Sequence, residues 1–191
     1  MELNSQYLES VKKQFLYYKT LAEKAIHQID ENQLFISLND DTNSISMIVK
    51  HLKGNMLSRW TDIFTSDGEK SWRNRDDEFI DTYTSKTEII ENWDKGWECF
   101  FDTLNNLKPE DLSKIIYIRN EGHSVMEAIN RQLAHYSYHI GQIVFYAKLL
   151  KNSEWNSLSI PKNKSNDYNS EKFSNKKQIR NFTEEELKRI K

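Results

Sequence analysis

His135 and His139 stand one helical turn apart in Leu133-Ala-His-Tyr-Ser-Tyr-His-Ile-Gly-Gln-Ile143, a stretch with helical apolar spacing. Side chains at i and i+4 share a helix face, with Cβ atoms about 5–6 Å apart. Two imidazoles so placed can close on one ion through bonds of about 2.0–2.1 Å. A third donor must come from another part of the fold. His51, in Ser46-Met-Ile-Val-Lys-His-Leu-Lys-Gly-Asn55, lies in a second amphipathic segment and is the obvious candidate.

Three nitrogen donors favour zinc, nickel, iron or copper over magnesium and calcium, which prefer oxygen. Zinc or nickel fits best. Three protein ligands also leave coordination positions open, the arrangement of catalytic rather than closed structural zinc. An open ion acidifies a bound water or thiol, which suits hydrolysis or transfer to a thiol. No Glu stands between His135 and His139, so the helical zinc-protease pattern is absent. A chance pair at this spacing is a real risk with five histidines in the chain. A lone helical His is more often a hydrogen-bonded structural residue than a ligand. Here all three lie beside apolar stripes, where a buried imidazole needs a partner.

Residues near the trio could assist it. Asn55 and Gln142 could orient a ligand or a water. Arg59 and Arg131 could hold a substrate carboxylate, although a solvated surface arginine is the commoner case. Cys99, among Trp97, Phe100 and Phe101, reads as a small buried hydrophobe. Trp60, Trp72, Trp93 and Trp97 read as core, and His27 and His123 as structural or exposed.

Four segments have the periodicity of the helices needed to place these groups. The first, about Asn4 to Ile29, carries Leu8, Val11, Phe15, Tyr18, Ala22 and Ala25 on one face. The second opens after Ser44, a good N-cap, and runs through Ile48, Leu52, Met56 and Trp60. Ser85-Lys-Thr-Glu88 and Ser124-Val-Met-Glu127 read as capping boxes for the third and fourth. Four such helices bury their stripes most economically as a bundle. The link from about Thr65 to Thr84 is long for neighbours in a bundle. It can travel the bundle's length, giving an up-down-down-up order with a crossover between helices 2 and 3. That link also carries Trp72, Arg73 and Arg75. Lys114 to Ile118 reads as an extended loop.

The expected division is an all-α bundle over residues 1–160 and a polar tail over 161–191 that holds a short final helix, with Thr183-Glu-Glu-Glu186 as its cap. Between 162 and 180 the tail holds six basic residues against two acidic ones. The chain as a whole has 191 residues and a net charge of −2, giving no basic field for nucleic acid. Mean hydropathy is −0.80 and no run approaches a membrane span. The N-terminus lacks the basic and apolar regions of a secretory signal. A single cysteine suits a reducing, cytoplasmic setting.

The residues also carry a resemblance. His51 in helix 2, with His135, His139, Gly141 and Gln142 in a His-x-x-x-His-x-Gly-Gln run, resembles the DinB/YfiT-like superfamily of bacterial four-helix bundles. That superfamily includes metal-dependent hydrolases and the bacillithiol and mycothiol S-transferases. The stretch Ile48 to Trp60 and Glu121-Gly-His-Ser124 are similar to a Bacillus-type branch of it. The resemblance spans roughly residues 5–160. It implies an up-down-down-up bundle, a divalent metal on three histidines, a small-molecule substrate such as a low-molecular-weight thiol, and a homodimer. Two functions therefore stand side by side: a metal-dependent S-transferase or hydrolase, and a metal-binding or stress-response interaction protein with a structural ion. A helical scaffold with bystander histidines is the third.

Overall fold

A computed structural model describes residues 3–190. Four long helices, α1 (Leu3–His27), α2 (Ile45–Trp60), α3 (Lys86–Asn106) and α4 (Val125–Lys151), form the bundle. A hairpin of β1 (Ile115–Ile118) and β2 (Glu121–Ser124) precedes α4, and α5 (Ser165–Ser174) and α6 (Phe182–Ile190) follow it. The helices start where their caps say they should. Ser44, Ser85 and Ser124 each accept a backbone N–H three residues on, satisfying a donor the helix cannot. Around Ser124 the capping box is reciprocal. At α3 the Glu88 carboxylate instead reaches one residue further, to the Thr84 N–H at 2.9 Å.

Residue pairings fix the direction of each helix. Tyr7 meets Asn130 at 2.6 Å and Phe15 meets Tyr136, so α1 and α4 run parallel. Gly96 lies against Lys53, and Thr103 Oγ1 donates to the Trp60 carbonyl at 2.9 Å, so α2 and α3 also run parallel. Phe15 touches Phe100 while Glu23 accepts from Trp93 Nε1, which sets α1 antiparallel to α3. The order is up-down-down-up, as the long link suggested.

That link, residues 61–85, retraces α2 from its C-terminal to its N-terminal end. Ser58 Oγ donates to the Gly68 carbonyl at 2.7 Å. His51 pairs with Glu78 at 2.9 Å, and Ser46 Oγ donates to Asp81 at 2.6 Å. The chain thus starts α3 beside the start of α2. The alignment depends on a close approach, since a Cβ at Gly96 would stand 3.0 Å from Lys53 Cα.

Phe15, Trp60, Trp97, Phe100 and Tyr136 interlock edge to face at the bundle's centre, with Phe15 and Phe100 centroids 4.5 Å apart. Trp93 is buried too, but Trp72 is 58% exposed rather than core. Its neighbour Arg73 turns inward to a buried carboxylate, which aims Trp72 outward. The segment read as an extended loop pairs as a hairpin, with Ile115 opposite Ser124 and Ile118 opposite Glu121. Arg119 and Asn120 both take positive φ (56° and 61°), as a two-residue primed turn requires. Asp67 in the crossover accepts both of their N–H groups at 2.8 Å, which holds the strained turn.

Beyond the bundle, α6 lies along α1. Lys13 pairs with Glu184 at 2.9 Å, and the rings of Tyr17 and Phe182 meet at 6.3 Å. The first turn of α6 is capped by Asn181, whose side chain accepts from the Glu184 N–H and the Thr183 hydroxyl. No helix among the described residues is long and apolar enough to cross a membrane.

Candidate metal centre

The antiparallel pairing of α2 with α4 brings His51 face to face with the i, i+4 pair. One ring nitrogen from each of His51, His135 and His139 lies within 4.8 Å of the others. His135 Nε2 is 3.3 Å from His51 Nε2 and 3.1 Å from His139 Nε2. Donors held about 2.0–2.1 Å from one tetrahedral ion stand about 3.3 Å apart. The trio has the spacing of a ligand set.

The outer nitrogens strengthen that fit. His51 Nδ1 faces Glu78 Oε2 at 2.9 Å, and His139 Nδ1 faces Gln142 Oε1 at 2.7 Å. Both partners accept, so the proton sits on Nδ1 and the Nε2 lone pairs converge inward. With neither of those Nε2 atoms able to donate, a single proton on His135 would have to be divided between two acceptors. A cation meets all three lone pairs at once. Histidine ligands whose far nitrogen is held by a carboxylate or carbonyl are oriented and made more basic.

Burial pushes the His135 imidazole down to about 3, helped by the charges of His139, His51, Arg73 and Arg59. His139 falls to about 4, again mainly through burial. Both are therefore neutral at pH 7, the ligating form. Burial alone would raise the Glu78 carboxyl. Hydrogen bonds from His51 and Arg73, with their charges, outweigh it and hold Glu78 below the ordinary carboxylate range.

Glu78 belongs to a chain of charges that the crossover delivers. Arg73 donates to both of its oxygens, Nε at 2.8 Å and a terminal nitrogen at 2.9 Å. Glu69 then takes Arg59 at 2.9 Å, Arg119 at 3.1 Å and Arg73 at 3.6 Å. Phe79 stacks on the His51 ring at 5.2 Å. Sequence pattern picked out Arg73 only as loop content and did not single out Glu69, Glu78 or Phe79. Gly54 was the available signal, since a mid-helix glycine one turn from His51 costs helix stability without an evident reason. Its reason is Glu78: a Cβ at position 54 would overlap Glu78 Oε1. Gly54→Ala is accordingly expected to displace the carboxylate and weaken zinc binding about tenfold. Alanine is the better helix former, which offsets part of the cost of disturbing the buried Arg73–Glu78 pair, so the fold should persist while affinity falls. Competition with a chromophoric chelator measures this, and unchanged affinity would remove Glu78 from the account.

The other expected residues divide. Asn55 is buried and accepts from the Tyr136 hydroxyl at 3.2 Å, which itself accepts from Trp60 Nε1. Arg59 is not the solvated arginine of the commoner case. It is 7% exposed and pinned to the Gly68 carbonyl and Glu69. Arg131 is exposed, one turn before His135. Cys99 is half-buried beside Thr61, and burial raises its thiol. His27 is exposed and bonds the Glu23 carbonyl. All three histidines open onto one cavity of about 400 Å³, which Asn55, Arg59, Arg131 and Gln142 also line.

Helical bundle and candidate three-histidine centre together define the class of protein this is, and a family model matches the chain across residues 2–164. The chain belongs to the family described as Protein of unknown function (DUF1572). The match ends where α5 begins, so α5 and α6 lie outside it. Neither the curated proteins nor the solved structures gave a match.

Proposed function

We propose that the protein is a divalent-metal-dependent enzyme of the DinB-like kind, acting by thiol S-transfer or by hydrolysis on a small molecule. The observation that carries this is the shared cavity: three convergent imidazoles from α2 and α4 face about 400 Å³ of open space, not a fourth protein ligand. His51, His135 and His139 would hold the ion, with zinc or nickel the natural fit. When bound, it would supply an open coordination position that acidifies a thiol or a water. Glu78 and Gln142 hold two of the rings in register, and Arg73 keeps Glu78 ionised. Asn55, fixed through its oxygen by Tyr136, has its amide nitrogen left to orient a ligand in the cavity.

The rival, a structural ion, is disfavoured because the aromatic core is built from its own rings, not from the three histidines. Phe15, Trp97, Phe100 and Tyr136 are fully buried by one another and their neighbours. Chelation should therefore leave the bundle folded and abolish turnover in thiol-conjugation or ester and amide hydrolysis panels. Circular dichroism and activity on the same sample decide it. Unfolding on chelation, or no turnover at full metal occupancy, goes against the enzyme.

The reading extends to a cytoplasmic homodimer. Its support is the single cysteine and an outward apolar stripe on α4, where Tyr138, Phe145 and Leu149 are 64%, 70% and 50% exposed. A strictly monomeric mass by light scattering at micromolar concentration would remove the dimer.

A further inference from the structure

The walls of the cavity are one-sided in charge. Five arginines line it (Arg59, Arg73, Arg75, Arg119 and Arg131), and no carboxylate among the described residues does. This in a chain whose net charge is −2. Three of the five are spoken for: Arg59, Arg73 and Arg119 share the carboxylates of Glu69 and Glu78. Arg75 and Arg131 have no ion pair among the described residues. Nearby acids do not supply one. Glu127, one turn before Arg131, is engaged by the Ser124 N–H and hydroxyl at 2.8 and 2.9 Å. Asp77, close to Arg75 in sequence, accepts from Asn74 at 2.6 Å.

Both guanidinium groups are nevertheless placed relative to the metal ligands. Arg131 is four residues before His135 on α4, on the same helical face. Arg75 lies over the Phe79 ring, 5.0 Å from its centroid, and Phe79 stacks on His51. A second observation points to a ligand. Gln132, 3% exposed in the same wall, has its Oε1 buried without a partner. A buried amide oxygen left unpaired is costly unless something donates to it.

We infer that the cavity takes a small substrate bearing an oxyanion, carboxylate or phosphate, which Arg75 and Arg131 grip while its reactive end reaches the three histidines. This rests on the metal-centre reading for the reactive end alone; the arginine pair needs no ion. Guanidinium groups bind both oxyanions through paired charge-assisted hydrogen bonds. Gln132 would accept from a hydroxyl or N–H group of the same molecule.

The test titrates cobalt-loaded and metal-free protein with 2-mercaptoethanol, 3-mercaptopropionate and 2-mercaptoethyl phosphate, by calorimetry. At least one acidic probe should bind about tenfold more tightly than the neutral thiol. The tighter of the two names the oxyanion. The preference should vanish in the double variant Arg75→Gln/Arg131→Gln and persist in Arg131→Lys, with cobalt content unchanged in both. Equal binding of acidic and neutral probes by the wild type would overturn the inference, as would a preference that survives the double substitution. Should the wild type fail to take up cobalt, the metal-centre reading falls by itself. The metal-free titrations then decide the arginine pair, by the same preference and the same variants.

Discussion

Substituting Ala for His139 is expected to leave the bundle folded and to cost more than about a hundredfold in affinity for zinc or nickel. His139 would contribute one of three donors, and its Nε2 stands 3.1 Å from that of His135. Two imidazoles on different helices cannot replace it, because the remaining pair offers only a bidentate grip. The loss should exceed that from removing Glu78's support through Gly54→Ala, since an orienting partner tunes a bond that a ligand forms. The fold should not suffer. In the metal-free protein the three rings crowd their lone pairs together, and removing one relieves that crowding, which offsets the lost bond to Gln142. Metal-free His139→Ala should match or exceed metal-free wild type in its urea midpoint. Elemental analysis after dialysis against a micromolar zinc buffer reads the first expectation. Retention of one ion per chain would show that His139 is not a ligand.

The same three rings show how far sequence reaches into this site. His135 and His139 were legible because a helix converts spacing of four into proximity, and the apolar stripe around Tyr136 identifies the helix. His51 needed one more step, that α2 and α4 face each other, which a bundle supplies. Helix order was legible from the length of the crossover. What the crossover does was not. Glu78, Arg73 and Glu69 sit in a segment without periodicity, and its path along α2 is set by tertiary bonds such as Ser46 to Asp81. The burial of Arg59 is hidden from the sequence for a related reason. On α2 its position gives no hint that the Gly68 carbonyl and Glu69 will fold over it. The hairpin escaped because Ile118-Arg-Asn-Glu121 lacks the glycine that usually marks a primed turn. Here Asp67, distant in sequence, holds the two positive φ values instead.

Metal-free protein should lose stability steadily as pH falls below about 6.5, well before ordinary carboxylates titrate. His135 and His139 titrate at about 3 and about 4 in the folded chain, against 6.5 when free. Above 6.5 neither state binds these protons, so they contribute nothing to the pH dependence. Between 6.5 and 4 the unfolded chain takes up two protons that the folded chain refuses, and unfolding gains. Full linkage for both sites between pH 7 and 5 would be about 4 kcal/mol. Both rings are only partly buried, so solvent screening halves this to about 2 kcal/mol. Glu78 acts in the same direction lower down. Its folded pKa is depressed, so its contribution is present above the ordinary carboxylate value and lost as pH falls through the folded one. Urea midpoints of chelator-treated protein at pH 7, 6 and 5 measure the slope. His139→Ala should roughly halve it, because one of the two refusing sites is gone. A flat profile from pH 7 to 5 would mean that the rings accept protons readily in the folded state. The convergent nitrogens would then be held apart by bound protons, and their arrangement would carry no preference for a metal ion.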